Sequence, residues 1–267
     1  MKHPHTKARN FAWQTIFSVL MYLFMYLPIL VLAFYSFNTS PYSAGWQGFT
    51  LKWYQQLFQD SRILTALQNS LVVALCAVVI SAILGTLMAV GLGRYRFPGK
   101  TIYRGISYLP MIIPDIAIAV ATLVFLATFA IPLSLWTIVA AHIVFCLAYV
   151  GIVVAARLAK LDPHLEEAAL DLGATPLQAF VKVLLPQLMP GIIAGCLLAF
   201  VLSLDDFLIS SFTAGSGINT LPMEIFSRIR TGVKPDINAL SVILIIVSGC
   251  VAFLAEYIRD RGEKESS

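Results

Sequence analysis

The sequence predicts an all-α membrane protein with six transmembrane helices and both termini cytoplasmic. Three observations carry that fold class. Of 267 residues, 59% are hydrophobic and only 12% charged, with a mean hydropathy of +0.84, whereas a soluble domain carries about 25% charged residues. Such a chain cannot cover itself with polar surface, so lipid must be part of its solvent. Apolar runs long enough for the roughly 20 residues of a bilayer crossing recur along the whole length. The basic residues sit in short clusters between those runs. Despite the net charge of +4, that placement is a topology signal rather than a nucleic-acid patch.

The spans are read at residues 11–34, 66–92, 102–129, 133–156, 191–212 and 239–257. The first follows Lys2, Lys7 and Arg9. It is much longer than the roughly 7–15 residues of a signal-peptide core, and no Ala-x-Ala-like site follows it, so it reads as a retained helix. Orientation comes from the loops. Arg94, Arg96, Lys100 and Arg104 follow the second span, Arg157, Lys160 and Lys182 the fourth, and Arg259, Arg261 and Lys264 the last. With the N-terminal cluster these hold most of the 18 Lys and Arg residues, and only Lys52, Arg62, Arg228, Arg230 and Lys234 fall on the other side. The positive-inside rule places both termini in the cytoplasm. Cys76, Cys146, Cys196 and Cys250 all lie inside apolar runs without metal-like spacing and imply no disulfide framework.

Two external segments exceed a turn. Residues 38–65 contain Trp46, Phe49, Trp53, Tyr54 and Phe58, the last three at the spacing of a short interfacial helix. Trp46 and its neighbours form either an aromatic belt at headgroup level or a contact for an external partner or cation. In residues 213–238, Pro222 at a helix start and apolar Ile225 and Ile229 predict a short helix packed on the bundle or re-entrant.

The most ordered chemistry lies between the fourth and fifth spans. Asp162-Pro163 reads as a capped helix start, with Glu166 and Glu167 near the end where negative charge suits the helix dipole. Gly173 is a left-handed stop. Thr175, Pro176 and Gln178 restart a helix with a capping box, which is expected to end at Leu185-Pro186. Two short helices at an angle result.

Glu167-Ala168-Ala169, then Gly173, then Val183-x-Leu185-Pro186 resembles the EAA loop of ABC importer permeases, although that family usually has Ile where Val183 stands. The resemblance implies the type I ABC importer permease fold. It also implies a coupling loop, with Glu166, Glu167, Ala168, Ala169, Gly173 and Pro186 seated on a partner ATPase. On this basis residues 1–66 are an N-terminal tail, first helix and external loop, 67–256 the permease domain, and 257–267 a polar cytoplasmic tail.

Charged groups in a bilayer cost a few kcal/mol or more and mark function. Asp115 lies about 16 Å along a helix from Arg104, near mid-membrane, after Pro110 and Pro114, which should break the helix and free carbonyls toward a cavity. Asp205 and Asp206 lie in the outer half of the fifth span, pointing about 100° apart, so that one faces a pathway and the other a neighbouring helix or sister subunit. Apart from Arg104 at the start of the third run, no Lys or Arg shares these runs. The electronegative interior suits a cation, with Tyr108, Tyr149 and Phe207 as cation–π faces. His142 reads as a hydrogen-bonded packing residue.

Tyr35-Ser36-Phe37-Asn38, Trp46-Gln47-Gly48-Phe49-Thr50, Arg94-Tyr95-Arg96-Phe97, Pro114-Asp115, Leu202-Ser203-Leu204-Asp205-Asp206 and Leu221-Pro222-Met223 are similar to the polyamine (spermidine/putrescine) importers, especially their PotC-type permease subunit. That similarity implies a second permease in a heterodimer, an ATPase pair, a periplasmic polyamine-binding protein and a bacterial inner-membrane location. No Gly-x-x-x-x-Gly-Lys-Ser/Thr loop is present, so ATP is expected to bind the partner ATPase, with no cofactor on this chain. An importer of ferric ion, thiosulfate or a phosphonate is the alternative cargo class, and anions would ask for basic groups along the path. An intramembrane aspartyl protease would need Tyr-Asp and Gly-x-Gly-Asp, but Pro114 precedes Asp115 and Leu204 precedes Asp205.

Overall fold

The computed structural model describes residues 5–41, 45–230, 232 and 234–264, with side chains placed within those ranges from 13 to 254 and at 257. Lys2 and the side chains of Lys7, Arg9, Arg259, Arg261 and Lys264, used above for orientation, lie outside the described residues. Among the described residues the regular structure is helical, and the only extended pairing is an isolated bridge between Asn38 and Phe49. Five helices have the length and hydropathy to cross a membrane, or six if the bent pair Lys100–Met111 and Asp115–Thr128 counts as one span. The chain divides into two compact units, Met1–Asp60 with Ser227–Ile246, and Ser61–Phe226 with Val247–Ser267.

In the first unit, α1 (His5–Tyr35) is followed by the bridge and by α2 (Lys52–Leu57). Large apolar side chains along α1, such as Phe24 at 77% exposure, face outward, as a lipid-embedded or partnered helix requires. The expected interfacial helix is α2, and its aromatics knit the segment together. Trp53 Nε1 donates to Asn38 O at 2.7 Å, Tyr54 Oη lies 2.8 Å from Ser36 Oγ, and Phe37 stacks on both Phe49 and Tyr54. Arg228 bridges Asp60 at 2.8 Å and Asp236 at 3.3 Å.

The second unit is built on α3 (Ser61–Arg94), α6 (Leu135–Leu158) and α9 (Leu185–Asp205), around a core that includes Val150, Val154, Leu184 and Leu188. Lipid tails are as apolar as leucine, so these helices associate by close packing rather than by a hydrophobic drive. Small residues make the approach possible. A Cβ on Gly85 would lie 3.1 Å from the Gly151 nitrogen, and one on Gly195 3.3 Å from Val150 Cα.

Residues 102–129 do not form one straight span. α4 (Lys100–Tyr108) runs through a single 3-10 turn to Met111 and then gives way to α5 (Asp115–Thr128), bent by 106°. Pro110 and Pro114 cannot donate to the preceding turn, so the break expected there is present.

The loop after α6 departs from expectation in two places. α7 (Leu165–Asp171) begins after His164 rather than at Pro163, because the Asp162 carboxylate accepts from the His164 N–H at 2.9 Å and closes a turn first. Then α8 (Pro176–Ala179) does not stop at Leu185-Pro186. It continues through a π-helical stretch, Phe180–Leu184, into α9, giving one 30-residue helix from Pro176 to Asp205. Leu185 N–H bonds Phe180 O, an i→i+5 pattern that re-registers the ladder just ahead of a proline with no N–H to give.

The fifth span also ends earlier than read, at Asp205 rather than at Phe212. α9 ends at Asp205, Asp206 is extended at φ −68°, ψ 121°, and α10 (Leu208–Thr213) restarts. The packed face of α11 (Leu221–Arg230) is Leu221 and Glu224, not Ile225 and Ile229. Leu221 N–H donates to Ser70 Oγ at 2.8 Å, while Ile229 is 45% exposed. The last helix is α12 (Pro235–Lys264).

Candidate functional site

The break in α9–α10 and the break in α4–α5 meet around one cavity of about 330 Å³. Asp115, Tyr149, Asp205 and Asp206 all line it, together with Pro110, Met111, Phe145 and Phe207. The four sequence-derived pathway candidates are thus brought together from three separate stretches of chain. Each arrives by a local cause. Asp115 is the first residue of α5, directly after Pro114 ends the preceding turn. Asp205 is the last residue of α9, and Tyr149 projects from α6.

Asp206 differs from its neighbour. Its carboxylate accepts from the N–H groups of Ile209 at 3.2 Å and Ser210 at 2.7 Å, so it caps the start of α10. Its Oδ2 lies 3.2 Å from His142 Nε2, and the His142 ring is wholly buried, with Nδ1 2.7 Å from Ser203 Oγ and Nε2 3.0 Å from Ser210 Oγ. His142 is therefore a hydrogen-bonded packing residue, as read, but its partners were not foreseen. The end of α10 is held as well. Thr137 Oγ1 accepts from the Ser134 N–H at 2.8 Å and lies 2.7 Å from the Thr213 carbonyl.

Two other aromatics singled out from the sequence, Tyr108 and Trp46, sit elsewhere. Tyr108 lines a different cavity of about 450 Å³ with Arg94, Arg104, Leu161 and Pro163, so it does not share the acidic lining. Trp46 belongs to the other compact unit, where it stacks on Phe34 with ring centroids 4.2 Å apart.

The coupling-loop residues form the second candidate surface. Gly173 has φ +87°. Ala174 N–H reaches back to Ala169 O at 3.0 Å and Gly173 N–H to Leu170 O at 2.9 Å, the paired bonds of a glycine helix stop. Thr175 Oγ1 accepts from Gln178 N–H at 3.3 Å and Gln178 Oε1 from Thr175 N–H at 3.0 Å, completing the capping box. Ala168 is open to solvent, whereas Ala169 is tucked under the bend. Glu166 and Glu167 have separate attachments. Glu166 pairs with Arg94 Nε at 3.3 Å, tying α7 to the end of α3, while Arg94 Nη2 also reaches Asp162 O at 3.4 Å. Glu167 stays exposed and bonds His164 Nδ1 at 2.8 Å. That carboxylate, by hydrogen bond and by charge, raises the His164 imidazole above its usual range. Arg94 was missed as a loop anchor, because 72 residues separate it from Glu166.

Known proteins place this arrangement. The chain is 42% identical over 260 residues to the putrescine transport system permease protein PotI of Escherichia coli strain K12, covering 95% of this chain and 92% of that one. It is 38% identical over 249 residues to the spermidine/putrescine transport system permease protein PotC of Haemophilus influenzae, with 93% and 97% covered. Among solved structures, a bacterial ABC transporter involved in the import of the acidic polysaccharide alginate superposes with a TM-score of 0.70 over 96% of each chain at 18% identity. The MetNI methionine ABC transporter superposes with a TM-score of 0.59 over 80% of this chain and 99% of that one. These likenesses establish the type I ABC importer permease fold, and the relatives are transporter components rather than enzymes. The description of binding-protein-dependent transport system inner membrane components matches residues 81–264, and this multi-pass membrane chain belongs to that family.

Proposed function

We propose that this chain is the permease subunit of an ATP-driven importer that moves a polyamine, spermidine and/or putrescine, from periplasm to cytoplasm. One observation carries the cargo class. Asp115 and Asp205 line a single cavity among the membrane-length helices, and neither carboxylate has a hydrogen-bond or ion-pair partner among the described residues. Unpaired acids at membrane depth are costly, and an ammonium-bearing cargo offsets that cost when it enters. Tyr149, Phe145 and Phe207 supply aromatic faces for the same cation. The relatives' transport of putrescine and spermidine agrees with this chemistry.

In this reading the chain sits in the bacterial inner membrane with both termini cytoplasmic. It pairs with a second permease, an ATPase pair below and a periplasmic polyamine-binding protein above. ATP binds the ATPase, and no cofactor resides on this chain. Glu166, Glu167, Ala168, Ala169, Gly173 and Pro186 take up closure of the ATPase, and Trp46 is an external aromatic contact. The mechanical route is short. The arm that restarts at Thr175 is the same helix that ends at Asp205, so displacement of the loop reaches the cavity along one continuous helix.

The test is uptake of labelled putrescine and spermidine into proteoliposomes carrying the whole complex, with thiosulfate as an anionic competitor. Asp115→Asn should lower uptake of both amines roughly tenfold or more, the worth of a hydrogen bond to a charged group, while leaving assembly intact. Normal uptake by that variant, or competition by thiosulfate, would remove the basis of the cargo assignment.

A further inference from the structure

The three carboxylates of the cavity are not equivalent, and the reason lies behind the lining. His142 is wholly buried on α6 and faces the α9–α10 break. An ionised carboxylate can only accept, so the hydrogen of the contact between His142 Nε2 and Asp206 Oδ2, at 3.2 Å, sits on the ring. Ser203 Oγ, 2.7 Å from Nδ1, holds the other side of the imidazole and sets its orientation. With the N–H groups of Ile209 and Ser210, three protein donors converge on Asp206. A carboxylate offers about four lone-pair positions, and most of those on Asp206 are already filled. Asp115 and Asp205 have no such donors among the described residues.

We infer that His142 is a positioning residue that sets the cargo charge the cavity prefers: by holding Asp206 within the protein it leaves the carboxylates of Asp115 and Asp205 to meet cargo, a pair matched to a diamine over a triamine. This rests on the polyamine reading above. Among membrane-length helices each ammonium gains from a counter-charge, because desolvation of an unpaired ion is costly. A third ammonium would have to draw on Asp206 and compete there with the donors that cap α10. Groups contributed by a partner permease are the same in every variant of this chain, so they cancel from a comparison of variants.

Glutamine and asparagine at position 142 separate the two sides of the ring. The amide of Gln reaches the place of Nε2 and can still donate to Asp206. The amide of Asn reaches only the place of Nδ1, keeping Ser203 and losing Asp206. The complex is reconstituted with its partner permease, ATPase and binding protein, and the binding protein is saturated with either putrescine or spermidine so that its own preference drops out. Initial uptake rates are then compared for wild type, H142Q and H142N, with cargo-stimulated ATP hydrolysis as the check on assembly. Wild type and H142Q should favour putrescine to the same degree, and H142N should shift the putrescine-to-spermidine rate ratio toward spermidine by roughly tenfold. If H142N does not assemble, H142S, which also cannot reach Asp206, takes its place with the same expectation. Equal ratios in H142Q and H142N overturn the inference, as does equal loss of both cargoes in H142N, which would mark a merely structural histidine. A wild-type complex that moves neither amine overturns the polyamine reading itself, and the inference with it.

Discussion

Gly173 is the position at which the coupling loop is most open to a quantitative test. Its φ of +87° lies in the left-handed region, and a Cβ built there would meet nothing within 4 Å. The whole penalty of a substitution is therefore backbone strain, with no clash to confuse it. For alanine that strain is about 1–2 kcal/mol, which lowers the population of the correctly bent loop by a factor of up to roughly 5–30. Asparagine visits the left-handed region more readily, so Gly173→Asn should be the mildest change. Gly173→Pro is the harshest, because proline fixes φ near −65° and removes the N–H that now bonds Leu170 O at 2.9 Å. The assay is cargo-stimulated ATP hydrolysis and cargo uptake by the reconstituted complex, reported as amine moved per ATP consumed. That ratio should fall in the order Asn, Ala, Pro, while cargo preference stays as in wild type. Wild-type stimulation and uptake in the proline variant would refute the idea that this bend transmits ATPase closure. Equal impairment by Asn and Ala would show instead that the surface around Gly173, not its backbone, is what matters.

Two other contacts on the loop make predictions of their own. Arg94 and Glu166, 3.3 Å apart and only 16% and 22% exposed at their side chains, should show a coupling of about 0.5–1 kcal/mol in a double-mutant cycle on thermal stability. The swap R94E with E166R should recover what either single change loses, and additive losses would mean the pair holds nothing together. His164 is raised by its bond to Glu167, so the contact is at full strength below the unperturbed histidine value of about 6.5 and is lost as pH rises through the higher folded value. Under the proposed coupling role, Glu167 is then freed to meet the ATPase. Coupling should accordingly rise with pH across that interval in wild type and be flat in H164Q, and the same slope in both would exclude the histidine as its source.

What the sequence made legible was local. The capping box at Thr175 and Gln178, the glycine stop at Gly173 and the proline break before Asp115 each depend on residues a few positions apart, and each is present. Local rules also explain the errors. Leu185-Pro186 reads as a helix end, because proline cannot continue a regular i→i−4 ladder. The π-helical stretch ahead of it shifts the ladder instead, and such a shift has no signature in composition. Asp162-Pro163 reads as a cap, yet its carboxylate spends itself on His164 N–H one turn too early. The long-range joins were invisible for a different reason. His142 meets Ser203, Asp206 and Ser210 across more than 60 residues of chain, and Arg94 meets Glu166 across a comparable gap. A buried polar group must find partners, so the existence of a partner for His142 could be inferred from its apolar surroundings, but not which one.

The misread proline changes the mechanical picture more than any other finding. Had the loop helix ended at Pro186, the ATPase-facing arm and the cavity would be joined by a hinge, and a push on the loop could dissipate there. As built, Pro176 and Asp205 are the two ends of one helix of 30 residues, roughly 45 Å long at about 1.5 Å per residue. Displacement of that helix at the α7–α8 end has a continuous backbone path to Asp205. Asp115 is on α5, beyond a 106° bend and on a separate element, so it need not follow. The distance between the two unpaired carboxylates would then be the quantity that ATPase closure alters. A diamine that bridges them in one state would lose one of its two counter-charges in the other, which would weaken its hold there. Asp206, tied to α10 and to His142 on α6, carries contacts that Asp205 lacks, so under the proposed mechanism the two adjacent acids would respond differently to the same displacement.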